Sequence, residues 1–282
     1  MLRALLIGTS LLAVAPAFAQ DSAAGTETPL PDPNDQSDTV SIALGGAFVP
    51  DYEGSDDYRL IPAAAVRGRV GGISFFTRAT YLYVDIVPRG TGKLDFDVGP
   101  IVGVRLNRTG KIKDDFVDLL PERNKAIEVG GFAGVTWHGL TNPYDAFSVR
   151  VDVVKDVGNA HGSTVVTPTI DFGTPLSRTT YVGLSASADW VGGGYADYYY
   201  SINAADSVAS GLPPFDADGG FKNWKLTLLA NQSLTGDLTK GLSLFGTASY
   251  SRLSGDFKRS PIVSQRGSAG QWFAAVGLAY TF

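Results

Sequence analysis

The stretch "QWFAAVGLAYTF" (Gln271–Phe282) alternates through every residue. Its even positions are Trp272, Ala274, Val276, Leu278, Tyr280 and Phe282, an apolar face with large aromatics at both ends. Its odd positions are Gln271, Phe273, Ala275, Gly277, Ala279 and Thr281, mostly small or polar. Period two is the signature of a strand. An apolar face bounded by rings at both ends is what a strand shows to lipid, where aromatics sit at the two interfaces.

The same parity test succeeds along the chain. Val40, Ile42, Leu44 and Phe48 oppose Ser41, Ala43 and Gly45. Leu94, Phe96, Val98 and Val102 oppose Asp95, Asp97, Gly99 and Gly103. Phe147, Val149, Val151 and Val153 oppose Ser148, Arg150 and Asp152. Trp224, Leu226, Leu228 and Ala230 oppose Asn223, Lys225, Thr227 and Asn231. The charged residues collect on the second face, because a charge at the lipid midplane costs about 2–4 kcal/mol. A soluble sandwich would alternate as a mirror image. Strand lengths near twelve and the paired aromatics favour the membrane. An open edge in lipid leaves backbone groups unpaired, so the sheet must close.

The beginning of the sequence agrees. "MLRALLIGTSLLAVAPAFAQ" carries Arg3, an apolar run and the small-x-small site Ala17–Phe18–Ala19. It reads as a signal peptide over 1–19, cleaved before Gln20. Residues 20–38 are acidic and Pro-rich and are expected to be a disordered tail. Residues 39–282 are expected to form the barrel. There is no cysteine, so neither a lipid anchor on cysteine nor a disulfide exists. The net charge of −5 argues against a nucleic-acid partner.

The expected fold is all-β, a closed antiparallel transmembrane barrel. The strands are expected at 39–50, 58–68, 72–86, 94–107, 126–138, 145–156, 163–174, 179–190, 222–234, 241–252 and 271–282. Bacterial single-chain barrels usually have an even number of strands. The parity of 72–86 slips near Arg78, and this segment is long enough for two short strands. Twelve strands are therefore expected, with ten as the alternative if the first hairpin sits off the barrel. Counting back from Phe282, the long segments 109–125, 192–221 and 254–270 fall outside, and short turns such as "TPLSR" fall in the periplasm.

Four segments carry a family likeness: "FVPDYEGSDDYRLIPAAAVR", "YYYSINAADSVASGLPPFDADGG", "SLFGTASYSRLSGDFKRSPIV" and "AAVGLAYTF". With them the chain resembles the MipA/OmpV family of outer-membrane proteins, from about Val40 to Phe282. The resemblance implies a non-enzymatic outer-membrane barrel in contact with lipid. It also implies a scaffold role that brings together a lytic transglycosylase and a peptidoglycan synthase, although other members resemble adhesins. By the same analogy, Tyr280 and Phe282 are expected to be the signal read by the barrel-assembly machinery.

The candidate functional residues are the charges expected to face the lumen: Arg59, Arg67, Asp95, Asp97, Arg105, Glu128, Arg150, Asp152, Asp156, Asp189 and Lys225. Both signs are interleaved with Gly, Ser and Thr. That mixture suggests an internal network pairing across the lumen, in particular Arg150 and Asp152 with Arg105 and Asp189. A selective channel more often segregates its charge, and a narrow water path through the network stays open as the rival reading. A small-solute channel is thus the alternative to the scaffold.

Catalytic and metal motifs are weak. His138 and His161 are the only histidines, and both read as ordinary rim or turn residues. With no cysteine, no zinc site is expected. "DADGG" (Asp216–Gly220) begins like a calcium loop, but Thr227 stands where the loop needs Glu. No cofactor is expected. Tyr195, Tyr198, Tyr199 and Tyr200 read either as interfacial rings or as aromatics folding their loop over the mouth.

Overall fold

The computed structural model describes residues 37–90 and 92–282. The expected signal peptide, and all but the last two residues of the expected tail, lie outside these. Twelve strands close into one antiparallel ring. They are β1 (Thr39–Pro50), β2 (Tyr58–Val70), β3 (Ile73–Arg78), β4 (Tyr81–Asp85), β5 (Leu94–Arg105) and β6 (Ala126–His138). The second half comprises β7 (Ala146–Asp156), β8 (Thr164–Pro175), β9 (Thr180–Val191), β10 (Gly220–Ser233), β11 (Gly241–Leu253) and β12 (Gly270–Thr281). Each strand pairs with its sequence neighbour, and β1 closes on β12 from Ser41↔Thr281 to Phe48↔Ala274. Closure of β1 on β12 leaves neither terminal strand as a free edge in lipid.

Outward positions are apolar and exposed: Leu44, Leu184, Leu226 and Val276 among them. Rings cluster at both rims of this band. At one rim Phe48 stacks on Tyr58 at 4.6 Å, Trp190 meets Phe221 at 5.0 Å, and Trp224, Tyr250 and Trp272 form a chain. At the other rim lie Trp137 with Phe147, and Tyr280 with Phe282. Among the described residues no helix is long and apolar enough to cross a membrane.

The segment 72–86 divides into β3 and β4, so the strand number is twelve. The break is the turn Ala79–Thr80, where Ala79 takes a left-handed φ of 50°. That turn is the physical cause of the parity slip at Arg78. The β2–β3 turn needs two left-handed residues and has Gly71 and Gly72, at φ of 60° and 84°.

Long connections gather at one end of the barrel, the outer end by the usual asymmetry of such barrels. The β9–β10 connection carries α1 (Gly193–Tyr200) and α2 (Ala204–Ser210). The β11–β12 connection carries α3 (Gly255–Arg259) and α4 (Pro261–Ser264). Their apolar side chains build a small core at the mouth: Tyr195, Tyr199, Tyr200, Phe257, Ile262 and Val263 are all buried. Asn203 starts α2 by accepting the backbone N–H groups of Ala205 and Asp206, and Gly211 ends it in a left-handed conformation.

Candidate functional site

The turn between β1 and β2 folds into the mouth and places Glu53 at the centre of a polar cluster. Tyr195 donates its hydroxyl to Glu53 Oε2 at 2.6 Å, and Tyr200 donates to the same oxygen at 3.1 Å. Lys222 Nζ and Arg105 Nη1 lie 3.1 and 3.4 Å from Oε1. The Glu53 backbone N–H donates to Asn107 Oδ1 at 3.0 Å. One carboxylate thus ties together the β1–β2 turn, α1, β5 and β10.

The cluster continues on both sides. Arg105 Nε donates to Glu128 Oε1 at 2.8 Å, and Tyr81 donates to Glu128 Oε2 at 2.6 Å. His161 Nε2 is 2.9 Å from Glu128 Oε1, with its ring against Tyr195 and Tyr199. Lys222 Nζ also lies 3.3 Å from Asp189 Oδ2. His161 is therefore buried in the site and is not an ordinary turn residue.

Electrostatics follow from this packing. Burial raises the carboxyl of Glu53, but Lys222, then Arg105 and the Tyr195 hydroxyl outweigh it and hold the group below its ordinary range. Burial, with Glu53 adding to it, pushes the hydroxyls of Tyr195 and Tyr200 well above theirs, so both stay protonated donors. Arg108, which follows the site on the loop, donates from Nη1 to the Tyr199 carbonyl at 3.2 Å. Burial, helped by Arg123, lowers its guanidinium to about 10.

A second cluster lies deeper in the barrel. Arg150 Nε donates to Asp152 Oδ1 at 2.6 Å, and Tyr83 donates to Asp152 Oδ2 at 3.0 Å. The Arg150 guanidinium lies 5.3 to 5.9 Å from the rings of Tyr83, Phe76 and Phe132. Arg78, at the end of β3, reaches across the lumen to Asp171 of β8 at 2.8 Å. Pairing across the lumen by Arg150 and Asp152, expected from sequence, does not occur: they pair with each other along β7. Residues two apart on one strand stand on the same face, and the short pair forms before any reach across the lumen is needed.

The remaining candidate charges are dispersed. Arg59 pairs with Asp51 at the mouth and donates to the Lys111 carbonyl. Asp95 meets His138 at 2.8 Å and Arg89 at 3.3 Å at the short-turn end. Thr136 donates to Asp97. Asp156 accepts three backbone N–H groups of its own loop, from Gly158, His161 and Gly162. Arg67 is exposed and Lys225 half-buried. Among the described residues no group of three or more His, Asp or Glu is placed to hold a metal ion.

Glu53, Lys222, Arg78 and Asp171 were missed by sequence reasoning. Lys222 has the parity of the lipid-facing Trp224, but the register shifts between Phe221 and Asn223, and this bulge turns it inward. A basic residue at the lipid-facing parity of a strand end was the available signal.

Fold and site together define an outer-membrane β-barrel whose mouth is occupied by its own loops. The chain belongs to the family described as MltA-interacting protein MipA, which matches residues 42–282. No curated protein matches the sequence. Among solved structures, an outer membrane channel from Pseudomonas putida F1 is similar over 87% of this chain and 95% of its own, at 10% identity and a TM-score of 0.46. A monoaromatic hydrocarbon channel is similar over 87% and 89%, at 8% identity and a TM-score of 0.41. An anion-selective porin from Comamonas acidovorans is similar over 87% and 99%, at 11% identity and a TM-score of 0.38.

Proposed function

We propose that this protein is a plugged, non-enzymatic outer-membrane barrel that serves as a docking protein for cell-wall enzymes. The observation that carries the closed axial route is the Glu53 cluster. Its carboxylate receives two tyrosine hydroxyls and faces two cations, with Tyr195 and Tyr200 fully buried around it. A saturated charge network resists opening, because separating one partner leaves a charge in a poorly solvated place. The family description supports a lytic transglycosylase, MltA, as the partner class, and a peptidoglycan synthase is the second partner that the family resemblance implies.

The rival reading is a small-solute channel. It is favoured by the small lumen-facing residues of β12 and β1, such as Ala275, Gly277, Ala43 and Gly45, which fill little of the lumen on that side. Planar-bilayer recording separates the two. Under the docking reading the purified barrel conducts little or nothing, and a pull-down from detergent-solubilised envelopes recovers a lytic transglycosylase. Strong wild-type conductance with no recovered wall enzyme establishes the channel instead.

A further inference from the structure

The wall of the barrel is incomplete between β2 and β5. On one side β2 pairs with β1 along its full length, from Thr39↔Arg69 to Pro50↔Tyr58. On the other side it pairs with β3 only from Arg67↔Phe76 to Val70↔Ile73. β3 and β4 then turn back at Ala79–Thr80, and β4 rejoins β5 between Tyr83↔Ile101 and Tyr81↔Gly103. No described strand lies beside Tyr58–Ala65 on that side.

The last contact of the ladder defines which groups face this notch. The Val66 N–H donates to Thr77 Oγ1 at 3.0 Å, and the Thr77 hydroxyl returns a bond to the Val66 carbonyl at 3.3 Å. In an antiparallel strand both backbone groups of a residue point the same way, and the pattern repeats every second residue. Ala64, Pro62 and Leu60 therefore turn their backbone groups into the notch. Pro62 brings no N–H, the device of an edge strand. The Tyr58 carbonyl is taken by Lys113 Nζ at 2.5 Å. Among the described residues, the backbone groups of Leu60 and Ala64 have no partner on this side.

The notch reaches below the aromatic rim. Phe48, which stacks on Tyr58, stands opposite Leu60, while Pro62 stands opposite Gly46 and Ala64 opposite Leu44. Ala64 is thus four residues deeper than Leu60, roughly 13 Å along the strand. An open edge at that depth is tolerated only where it is buried in protein or lines a water-filled cavity, so these groups must face the lumen side of the notch. At the top of the notch the β5–β6 loop lies against β2 and its turn, where Arg59 bonds the Lys111 carbonyl and Lys113 N–H bonds Asp51.

Beside the notch β2 is apolar on both faces, as its partner β1 is at Ala43, Gly45 and Ala47. Its outward residues Leu60, Pro62 and Ala64 are apolar and exposed, and its inward residues Ile61, Ala63 and Ala65 are apolar too. Ile61 is 39% exposed although it faces the lumen. The stretch from Leu60 to Ala65 beside the notch is thus apolar on both faces, with Arg59 above it and Arg67 below it on the inner face of β2.

We infer that the notch is a lateral portal through which an acyl chain, or a small apolar molecule dissolved in the outer leaflet, reaches the lumen. This function stands apart from docking and does not depend on it. The plug closes the barrel along its axis, and the portal opens it sideways.

The absence of cysteine makes the test direct. Ala65→Cys, lumen-facing beside the notch, is labelled with bimane in denaturant, refolded, and placed in phosphatidylcholine vesicles whose acyl chains carry bromine. Leu184→Cys supplies the lipid-facing reference and Ala275→Cys the lumen-facing one. The portal predicts that Ala65 is quenched at least half as strongly as Leu184 and several-fold more than Ala275. Quenching no greater than at Ala275 overturns it, including the case in which a strand of a second copy fills the notch. Heat-modifiability verifies folding of each variant, and Ala63→Cys repeats the reading if the label at 65 prevents refolding.

Discussion

The hydroxyl of Tyr195 lies 2.6 Å from the carboxylate of Glu53, although 142 positions separate the two in sequence. This bond fastens a helix of the β9–β10 connection to the first turn of the barrel. Glu53→Gln keeps the shape and removes the charge that Lys222 and Arg105 face. The expected cost is about 1–3 kcal/mol, below the range for a fully buried pair because the Glu53 side chain keeps 30% of its exposure. Lys222 and Arg105 retain Asp189 and Glu128, which keeps the loss from being larger. Thermal unfolding in detergent measures the cost, and a rise in bilayer conductance measures the loosened plug.

The same carboxylate gives a pH dependence with a defined sign. Its folded-state group is held below the ordinary carboxylate range, by Lys222 first among the charges. The stabilisation is therefore fully present above the unfolded value of about 4.3 and is lost as pH falls below it. Subtracting the melting curve of Glu53→Gln from that of wild type isolates this contribution from other carboxylates. The difference shrinks on acidification below about pH 4; a difference independent of pH contradicts the assignment.

Facing can be tested on β10 alone. Leu228 is 51% exposed on the outer face, opposite Leu184 and Ala248, and Thr227 points to the lumen. Leu228→Arg should destabilise the barrel by about 2–4 kcal/mol near the midplane. Thr227→Arg should cost less, since the lumen already solvates charges. Urea unfolding from vesicles compares them, and equal costs contradict the facing.

The wall was legible in the sequence because a barrel strand has two environments and a period of two. Any residue whose neighbours keep that period can be placed, as Arg105, Glu128 and Asp189 were. The plug was legible only in part. Of the two readings of Tyr195, Tyr198, Tyr199 and Tyr200, the folding of their loop over the mouth is the one the structure shows, but its polar anchor was hidden. Glu53 sits among the acidic residues of "DYEGSDDYR", and nothing local distinguishes the one that turns inward. Its partners Arg105, Tyr195, Tyr200 and Lys222 are brought by closure of the ring and by the packing of α1. Lys222 was hidden by the bulge at Phe221, and Arg78 by the turn at Ala79, both places where the period fails.

At the seam, the Phe282 N–H donates to the Val40 carbonyl at 2.9 Å, and its ring meets Tyr280 at 4.8 Å. The bond lies at the end of the β1–β12 ladder, where the sheet becomes a ring. Deleting Phe282 should reduce the amount of folded, heat-modifiable protein recovered in the outer membrane several-fold. Phe282→Tyr keeps the ring and the backbone bond and should restore most of it. Equal recovery of all three forms shows that the seam closes without this residue.

Arg150 and Asp152 test the inner cluster through their coupling. Both are buried, and their charges neutralise each other along one strand. Arg150→Ala strands the Asp152 carboxylate, leaving only Tyr83 as a donor, and removes a guanidinium from among three rings. Asp152→Ala strands Arg150 in the same apolar surroundings. Each single change should cost about 3–5 kcal/mol, the range for an orphaned buried charge. The double variant should cost clearly less than the two together, because no charge is left behind. A coupling of about 1–3 kcal/mol in the cycle, read from unfolding in detergent, fits a local pair. Additive costs show that the partners lie elsewhere, and coupling of Arg150 to Asp189 in place of Asp152 restores pairing across the lumen.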